Sequence, residues 1–161
     1  MFKTNANGDG HHYQHTHGLQ QVLEKNNRLA EYNRGWPAGR GVLALNLVSS
    51  PGAGKTTLLE RTVRELSGDL PVSVIEGDQE TYHDARRFRA AGSPAVQVNT
   101  GVAYHIDAAM VARELGELDP ASGAVVFVEN IGNLVCPALF DLRERAKYHS
   151  RLSASSKGCS A

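Results

Sequence analysis

The residues best suited to chemistry sit together in Ser49-Ser50-Pro51-Gly52-Ala53-Gly54-Lys55-Thr56-Thr57. An apolar run, Val42 to Val48, precedes them, and Leu58, Leu59, Val63 and Leu66 follow at helical spacing. A strand that breaks into a glycine-rich turn and opens onto a helix is the layout of a phosphate-binding loop. Backbone N–H groups of Gly52, Ala53 and Gly54 can crowd round a polyphosphate, and the helix N-terminus adds partial positive charge. Lys55 reaches the β and γ oxygens, the Thr56 hydroxyl can ligate Mg²⁺, and Thr57 follows in the same first turn. Ser49 stands where the strict pattern G-x-x-x-x-G-K-[ST] has its first glycine.

Further polar signals fall at the ends of apolar segments. Glu76-Gly77-Asp78 closes one, Asn99-Thr100-Gly101 another, and Glu129-Asn130-Ile131-Gly132-Asn133 a third. An acid at a strand tip beside a phosphate loop is where a Mg²⁺–nucleotide site places its carboxylate, so Asp78 and Glu129 join Lys55 as candidate catalytic and Mg²⁺-holding residues. Nearer the start, His11, His12, His15 and His17 make an imidazole-rich tract suited to Ni²⁺ or Zn²⁺. A tag remnant or an inert polar arm is the other reading of that tract, and the interleaved Tyr13, Gln14 and Thr16 count against a simple tag. Arg86, Arg87 and Arg89 read as a solvated helix face. His105 and Cys136 are single residues that spacing alone cannot join.

The elements that must position these groups follow from periodicity. Residues 1–18 lack an apolar period and read as a flexible arm. Leu19, Val22, Leu23, Leu29 and Ala30 mark one face of an amphipathic helix to Asn33, and Gly35, Pro37 and Gly39 predict a linker up to residue 40. Strands are expected at Pro71–Glu76, Pro94–Val98 and Ala124–Val128, with helices over Glu80–Ala91 and Ala103–Leu118. Alternation of this kind predicts an α/β fold: a mostly parallel sheet with helices on both faces and ligands at the carboxyl ends of the strands. Residues 41–142 would form that domain, and 143–161, polar and Ser-rich, a divergent disordered tail.

Bulk properties remove some classes of function. Lys plus Arg and Asp plus Glu both number 17, so no global basic field draws the chain to nucleic acid or to a membrane surface. No apolar run approaches a membrane span. The 2 cysteines lie far apart and the N-terminus carries no apolar signal stretch, which predicts a cytoplasmic protein with reduced thiols.

Taken together, Leu45–Thr57, Val74-Ile75-Glu76-Gly77-Asp78-Gln79, Gln97-Val98-Asn99-Thr100-Gly101 and Glu129-Asn130-Ile131-Gly132-Asn133-Leu134-Val135-Cys136-Pro137 resemble the hydrogenase nickel-incorporation GTPase family, HypB. Urease nickel chaperone GTPases share part of the pattern. Members also carry Ser-Ser-Pro-Gly in the loop, which accounts for Ser49. The resemblance implies a P-loop NTPase-type fold that binds and slowly hydrolyses GTP with Mg²⁺. It implies a homodimer delivering nickel to a hydrogenase large-subunit precursor, with a zinc-containing nickel chaperone as partner. Gly52, Ala53, Gly54, Lys55, Thr56 and Thr57 would hold the phosphates. Thr56, Asp78 and Glu129 would surround Mg²⁺, and Glu129 to Gly132 would act as the second switch.

The sequence departs from the family pattern twice. The family's metal site uses a Cys-His pair plus a later Cys; here Tyr104 takes the first position, leaving His105 and Cys136 as Ni²⁺ or Zn²⁺ candidates beside the histidine tract. Beyond Leu142 the expected strands and Asn-Lys-x-Asp guanine motif do not follow, so the domain is expected to be incomplete at its C-terminus. Two other readings stand beside the GTPase: a His-rich metal-storage module with an inert nucleotide site, and a non-functional truncated product. A frameshift near residues 143–148 would explain the second departure. Translating the coding DNA in the other two frames should then recover a hydrophobic strand and Asn-Lys-x-Asp; neither frame doing so excludes it.

Overall fold

Val125-Val126-Phe127-Val128 is apolar on both faces of a strand, which only a sheet covered on both sides can accommodate. The computed structural model describes residues 9–78, 83–101, 105–134, 136–142 and 144–150. In chain order its elements are α1 (Asp9–Arg40), β1 (Leu43–Ser49), α2 (Lys55–Leu66), β2 (Val72–Asp78) and α3 (His83–Ala90). They continue with β3 (Ala95–Asn99), α4 (Ala108–Leu118), β4 (Val125–Glu129), α5 (Cys136–Leu139) and β5 (Ala146–Ser150). The sheet runs β3-β2-β4-β1-β5, and all of its pairings are parallel.

The two faces have separate cores. On one, Leu59 and Val63 of α2 and Ala85 and Phe88 of α3 pack on Leu47, Val72, Val74 and Phe127. On the other, Val111 and Leu115 of α4 pack on Ile75, Val96, Val98, Val126 and Val128. Leu59 and Val63 are four residues apart, so one turn of α2 carries both onto the sheet. Phe88 is fully buried, a contribution of about 1.5–3 kcal/mol from its side chain alone. Among the described residues no helix is long and apolar enough to cross a membrane.

Three boundaries differ from the sequence expectation. The first helix does not stop at Asn33; its backbone runs from Asp9, inside the expected flexible arm, through the expected linker to Arg40. The helical backbone continues past Pro37 although proline has no N–H to give to the ladder, and the buried Asn33 side chain holds this stretch down, donating to the Ala108 carbonyl at 2.7 Å. The stop comes at Gly41, in the left-handed region at φ 67°, and the Arg40 carbonyl is taken by Gly123 N–H at 2.9 Å. Next, α4 begins at Ala108 rather than Ala103, because Asp107 caps it by accepting from Met110 N–H. Residues 80–82 and 103–104 of the two expected helices lie outside the described residues.

The third difference concerns the expected disordered tail. Residues 146–150 form β5, whose partners along β1 run from Leu45↔Ala146 to Ser49↔Ser150. This strand is legible only through its partners: Lys147 Nζ donates to the Pro137 carbonyl at 3.0 Å and pairs with Glu144 at 3.3 Å. An edge strand carrying Lys147 needs no apolar period. The neighbouring face remains open, with Leu58 and Tyr148 both exposed. Residues 151–161 lie outside the described residues.

Asn26 fixes α1 to the domain at two points, donating to the Asp141 carbonyl at 2.7 Å and accepting from Ala108 N–H at 2.8 Å. Asn26→Ala removes both bonds, the one from Ala108 N–H buried and the one to Asp141 part-buried, so urea denaturation should show a loss of about 1–3 kcal/mol; an unchanged midpoint would mean that α1 is not docked.

Candidate functional site

The turn between β1 and α2 is built by its glycines. Gly54 is the N-cap of α2 at φ 78°, a conformation that costs a side-chain-bearing residue strain, and Leu58 N–H donates back to its carbonyl at 2.9 Å. Ser49, where a glycine was expected, is buried, and its hydroxyl donates to the Ser50 carbonyl at 3.0 Å. A short polar side chain thus fits without opening the loop.

The loop after β4 rests against this turn. A Cβ on Gly132 would lie 2.9 Å from Pro51 Cα, so the two loops are held closer than any side chain would permit. Between them and the end of β2 is a cavity of about 520 Å³ lined by Pro51, Gly52, Lys55, Thr56, Glu76, Gly77, Asp84 and residues 129–133. It sits at the carboxyl ends of β1, β2 and β4, where a parallel sheet gathers its ligand-binding loops.

Inside it the acid at the tip of β4 meets the first turn of α2. Thr56 Oγ1 donates to Glu129 Oε1 at 2.7 Å, and Lys55 Nζ is 3.8 Å from the same oxygen. Asp84 Oδ2 stands 3.3 Å from Thr56 Oγ1 as a second acceptor for the one hydroxyl proton. Glu129 Oε2 is buried with no hydrogen-bond partner among the described residues. Burial pushes the Glu129 carboxyl above its ordinary range; the Thr56 hydroxyl and the Lys55 ammonium pull the other way without cancelling it.

Beside Glu129, Asn130 ties the strand end to the rest of the fold. Its Oδ1 accepts from Ile106 N–H at 3.2 Å and Ile131 N–H at 3.0 Å, and its Nδ2 faces Asn46 Oδ1 at 3.4 Å. Asn46 Nδ2 in turn donates to Glu144 Oε1 at 3.1 Å, just before β5. A buried polar chain therefore runs from the cavity wall to the sheet edge.

Of the sequence candidates, Gly52, Lys55, Thr56 and Glu129 converge on one cavity. Ala53 and Gly54 belong to the same turn, while Thr57 is exposed on α2. Asp78 ends β2 opposite Asn99 of β3; its side chain lies outside the described residues. Glu76 and Asp84 line the cavity although neither was singled out from sequence. Asp84 is in the first turn of α3, and nothing in the sequence separates it from an acid serving only the helix dipole. Glu76 pairs in register with Glu129 across β2 and β4, a relation visible only once the strand order is known.

His105 stacks on Phe140 with ring centroids 3.8 Å apart, which brings it to the residue following α5, the helix that Cys136 opens. Burial pushes its imidazole pKa down, with Asp107 opposing. The side chains of Cys136, His11, His12, His15 and His17 and all of Tyr104 lie outside the described residues. Among the described residues no group of three or more His, Cys, Asp or Glu is arranged to hold an ion.

Sheet order, phosphate loop and strand-end acid define a P-loop nucleotide-binding domain. The chain belongs to the CobW/HypB/UreG family of nucleotide-binding domains, whose family model matches residues 43–156. That match runs through β5, so the segment read as divergent from residue 143 falls within it as far as 156. Within the family the chain is similar to the hydrogenase maturation factor HypB of Escherichia coli, at 57% identity over 126 residues covering 78% of this chain and 43% of that protein. The HypB of Azotobacter vinelandii is 55% identical over 128 residues, covering 80% and 42%. Among solved structures, HypB from Archaeoglobus fulgidus superposes with a TM-score of 0.72 at 35% identity, covering 79% of this chain and 62% of that one. HypB from Helicobacter pylori in complex with nickel gives 0.68 at 35%, covering 78% and 59%. The resemblance to HypB read from the sequence is borne out, and the chain spans about two-fifths of the length of these curated relatives.

The raised Glu129 pKa has a stability consequence. Its contribution is fully present below the unfolded value, about 4.3, and is lost as pH rises through the folded value. Glu129→Gln should therefore raise the melting temperature of the ligand-free chain at pH 7, with the difference from wild type shrinking toward pH 4. A lower melting temperature at pH 7 would mean that the Lys55 and Thr56 contacts outweigh burial.

Proposed function

We propose that this chain binds and hydrolyses GTP with Mg²⁺ and acts in nickel delivery during hydrogenase maturation. The observation that carries the reading is the Thr56 hydroxyl donating to buried Glu129 beside Lys55, at the mouth of a phosphate loop. The donor set suits the cation: a hydroxyl and two carboxylates are hard oxygen ligands, and Glu129 Oε2 is buried and unpartnered among the described residues. Thr56, Glu129 and Asp84 would hold Mg²⁺, with Asp78, the sequence candidate at the end of β2, as a further carboxylate. When bound, the ion neutralises charge building on the phosphate oxygens.

The protein groups have separate tasks. Lys55 turns from Glu129 to the β and γ oxygens, exchanging one anion for another. Gly52, Ala53 and Gly54 supply backbone N–H groups, with Thr57 beside them in the first turn of α2. Glu129 to Gly132 senses the γ-phosphate because Gly132 already touches Pro51, so a change in the turn is felt at the loop that leads to Cys136. Similarity to HypB supports hydrogenase maturation as the process; the proposal adds guanine as the base, a homodimer, a zinc-containing nickel chaperone and the hydrogenase large-subunit precursor as partners, and a cytoplasmic location. Nickel is the cargo; His105, Cys136, His11, His12, His15 and His17 are its candidate ligands, with Zn²⁺ a competitor for the same donors.

Isothermal titration of the full chain with GTP and ATP in Mg²⁺ tests the reading. GTP should bind wild type and lose at least about tenfold in affinity in Lys55→Ala, the cost of a charge-assisted phosphate contact. Equal binding of wild type and Lys55→Ala overturns the phosphate site, and equal affinity for ATP removes the guanine assignment.

A further inference from the structure

The arginines of α3 are not equivalent. Arg89 donates to the Ala95 carbonyl from Nε at 3.0 Å and from Nη2 at 2.7 Å, which fastens α3 to the following strand. Arg87 instead lies between two acids. Its Nε and Nη2 reach Glu60 Oε2 on α2 at 3.0 and 2.7 Å, and its Nη1 reaches Asp84 Oδ1 at 3.2 Å. The other Asp84 oxygen, Oδ2, is the one 3.3 Å from the Thr56 hydroxyl. A continuous path therefore leads from Glu60, outside the cavity, through Arg87 and Asp84 to Thr56 inside it.

We propose that Arg87, anchored by Glu60, is a positioning residue: it holds the Asp84 carboxylate beside Thr56 and so sets how readily the nucleotide site takes up a divalent cation. The inference rests on the Mg²⁺–nucleotide reading of the cavity. Asp84 and Glu129 converge on one hydroxyl, and two carboxylates so placed repel each other unless a cation lies near. Lys55 serves Glu129 and Arg87 serves Asp84. Asp84 is one turn of helix from Arg87, and its carboxylate has several rotamers open to it. The guanidinium fork selects one, because a planar group with several donors can bond Glu60 and Asp84 at once, whereas a lysine ammonium is a point charge on a flexible stem. Neither Arg87 nor Glu60 lines the cavity: Arg87 acts on it through its bond to Asp84 and, at longer range, through its charge on Glu129, and only the second survives in Arg87→Lys.

The test is a Mg²⁺ titration of nucleotide binding, followed by fluorescence of a methylanthraniloyl guanine nucleotide on the full chain, with urea denaturation in parallel. Arg87→Ala should raise the Mg²⁺ concentration at half-saturation about tenfold, the usual loss on removing a group that orients a metal ligand. Nucleotide affinity in EDTA should change by less than about twofold, because the phosphate contacts of the loop and Lys55 are untouched. Glu60→Ala should shift the midpoint in the same direction by a smaller factor, and Arg87→Lys should recover less than half of the loss. The double variant Glu60→Ala/Arg87→Ala should be no worse than Arg87→Ala alone, since the two act in series. Wild-type Mg²⁺ midpoints in Arg87→Ala and Glu60→Ala overturn the proposal, as does full recovery by Arg87→Lys. Should Arg87→Ala not fold, Glu60→Ala and Arg87→Lys decide on the same criteria. A wild-type chain whose nucleotide binding ignores Mg²⁺ overturns the underlying site reading instead.

Discussion

A carboxylate buried at the end of a central strand is the constraint to which the rest of this structure answers. Glu129 is 3% exposed, and a charge so placed is costly unless positive or hydrogen-bonding groups surround it. The Thr56 hydroxyl and the Lys55 ammonium come from the first turn of α2, so α2 must start at the height of the β4 tip. That height is fixed by the register Leu47↔Glu129, and the left-handed Gly54 lets the chain turn from β1 into the helix in so short a space. Two apolar faces hold the sheet rigid enough to keep these groups within hydrogen-bonding distance.

Partial compensation is what makes the arrangement useful. Lys55 and Thr56 do not bring the Glu129 carboxyl back to its ordinary titration range, and Oε2 keeps an unused lone pair in a buried setting. A buried carboxylate so partly compensated carries an electrostatic deficit that a hard cation would relieve, together with a polyphosphate able to draw Lys55 away. Asn130, the next residue, spends its side chain on Ile106, Ile131 and Asn46. A displacement of the β4 tip is therefore shared with the start of α4 and with the Glu144 turn before β5.

Much of this was legible in the chain because it depended on local chemistry. Apolar strands bounded by Gly, Asp and Asn gave their positions to within a residue or two, and the run Gly52 to Thr57 announced the turn. What stayed hidden depended on partners distant in sequence. Nothing in Ala146-Lys147-Tyr148-His149-Ser150 reads as a strand until β1 offers its free edge and Pro137 offers a carbonyl to Lys147. Asn26 and Asn33 look like polar positions on a surface helix, yet both are buried because α4 presents backbone groups of Ala108 to them. Asp84 and Arg87 look like an ordinary charged helix turn, and only the packing of α3 beside α2 gives them Thr56 and Glu60.

The family assignment makes the phosphate loop one part of a longer design, since this chain spans about two-fifths of its curated relatives. The described part brings Thr56, Glu129 and Asp84 together next to a phosphate loop, the three groups proposed to hold the cation. A crystal structure of the chain with a non-hydrolysable guanine nucleotide and Mn²⁺ in place of Mg²⁺, read by anomalous scattering, tests that proposal most directly. An anomalous peak bonded to Thr56 Oγ1 is expected, with the Glu129 and Asp84 carboxylates facing it directly or through water and Lys55 moved onto the phosphates. A nucleotide bound with its metal elsewhere, and Thr56 still donating to Glu129, would contradict it.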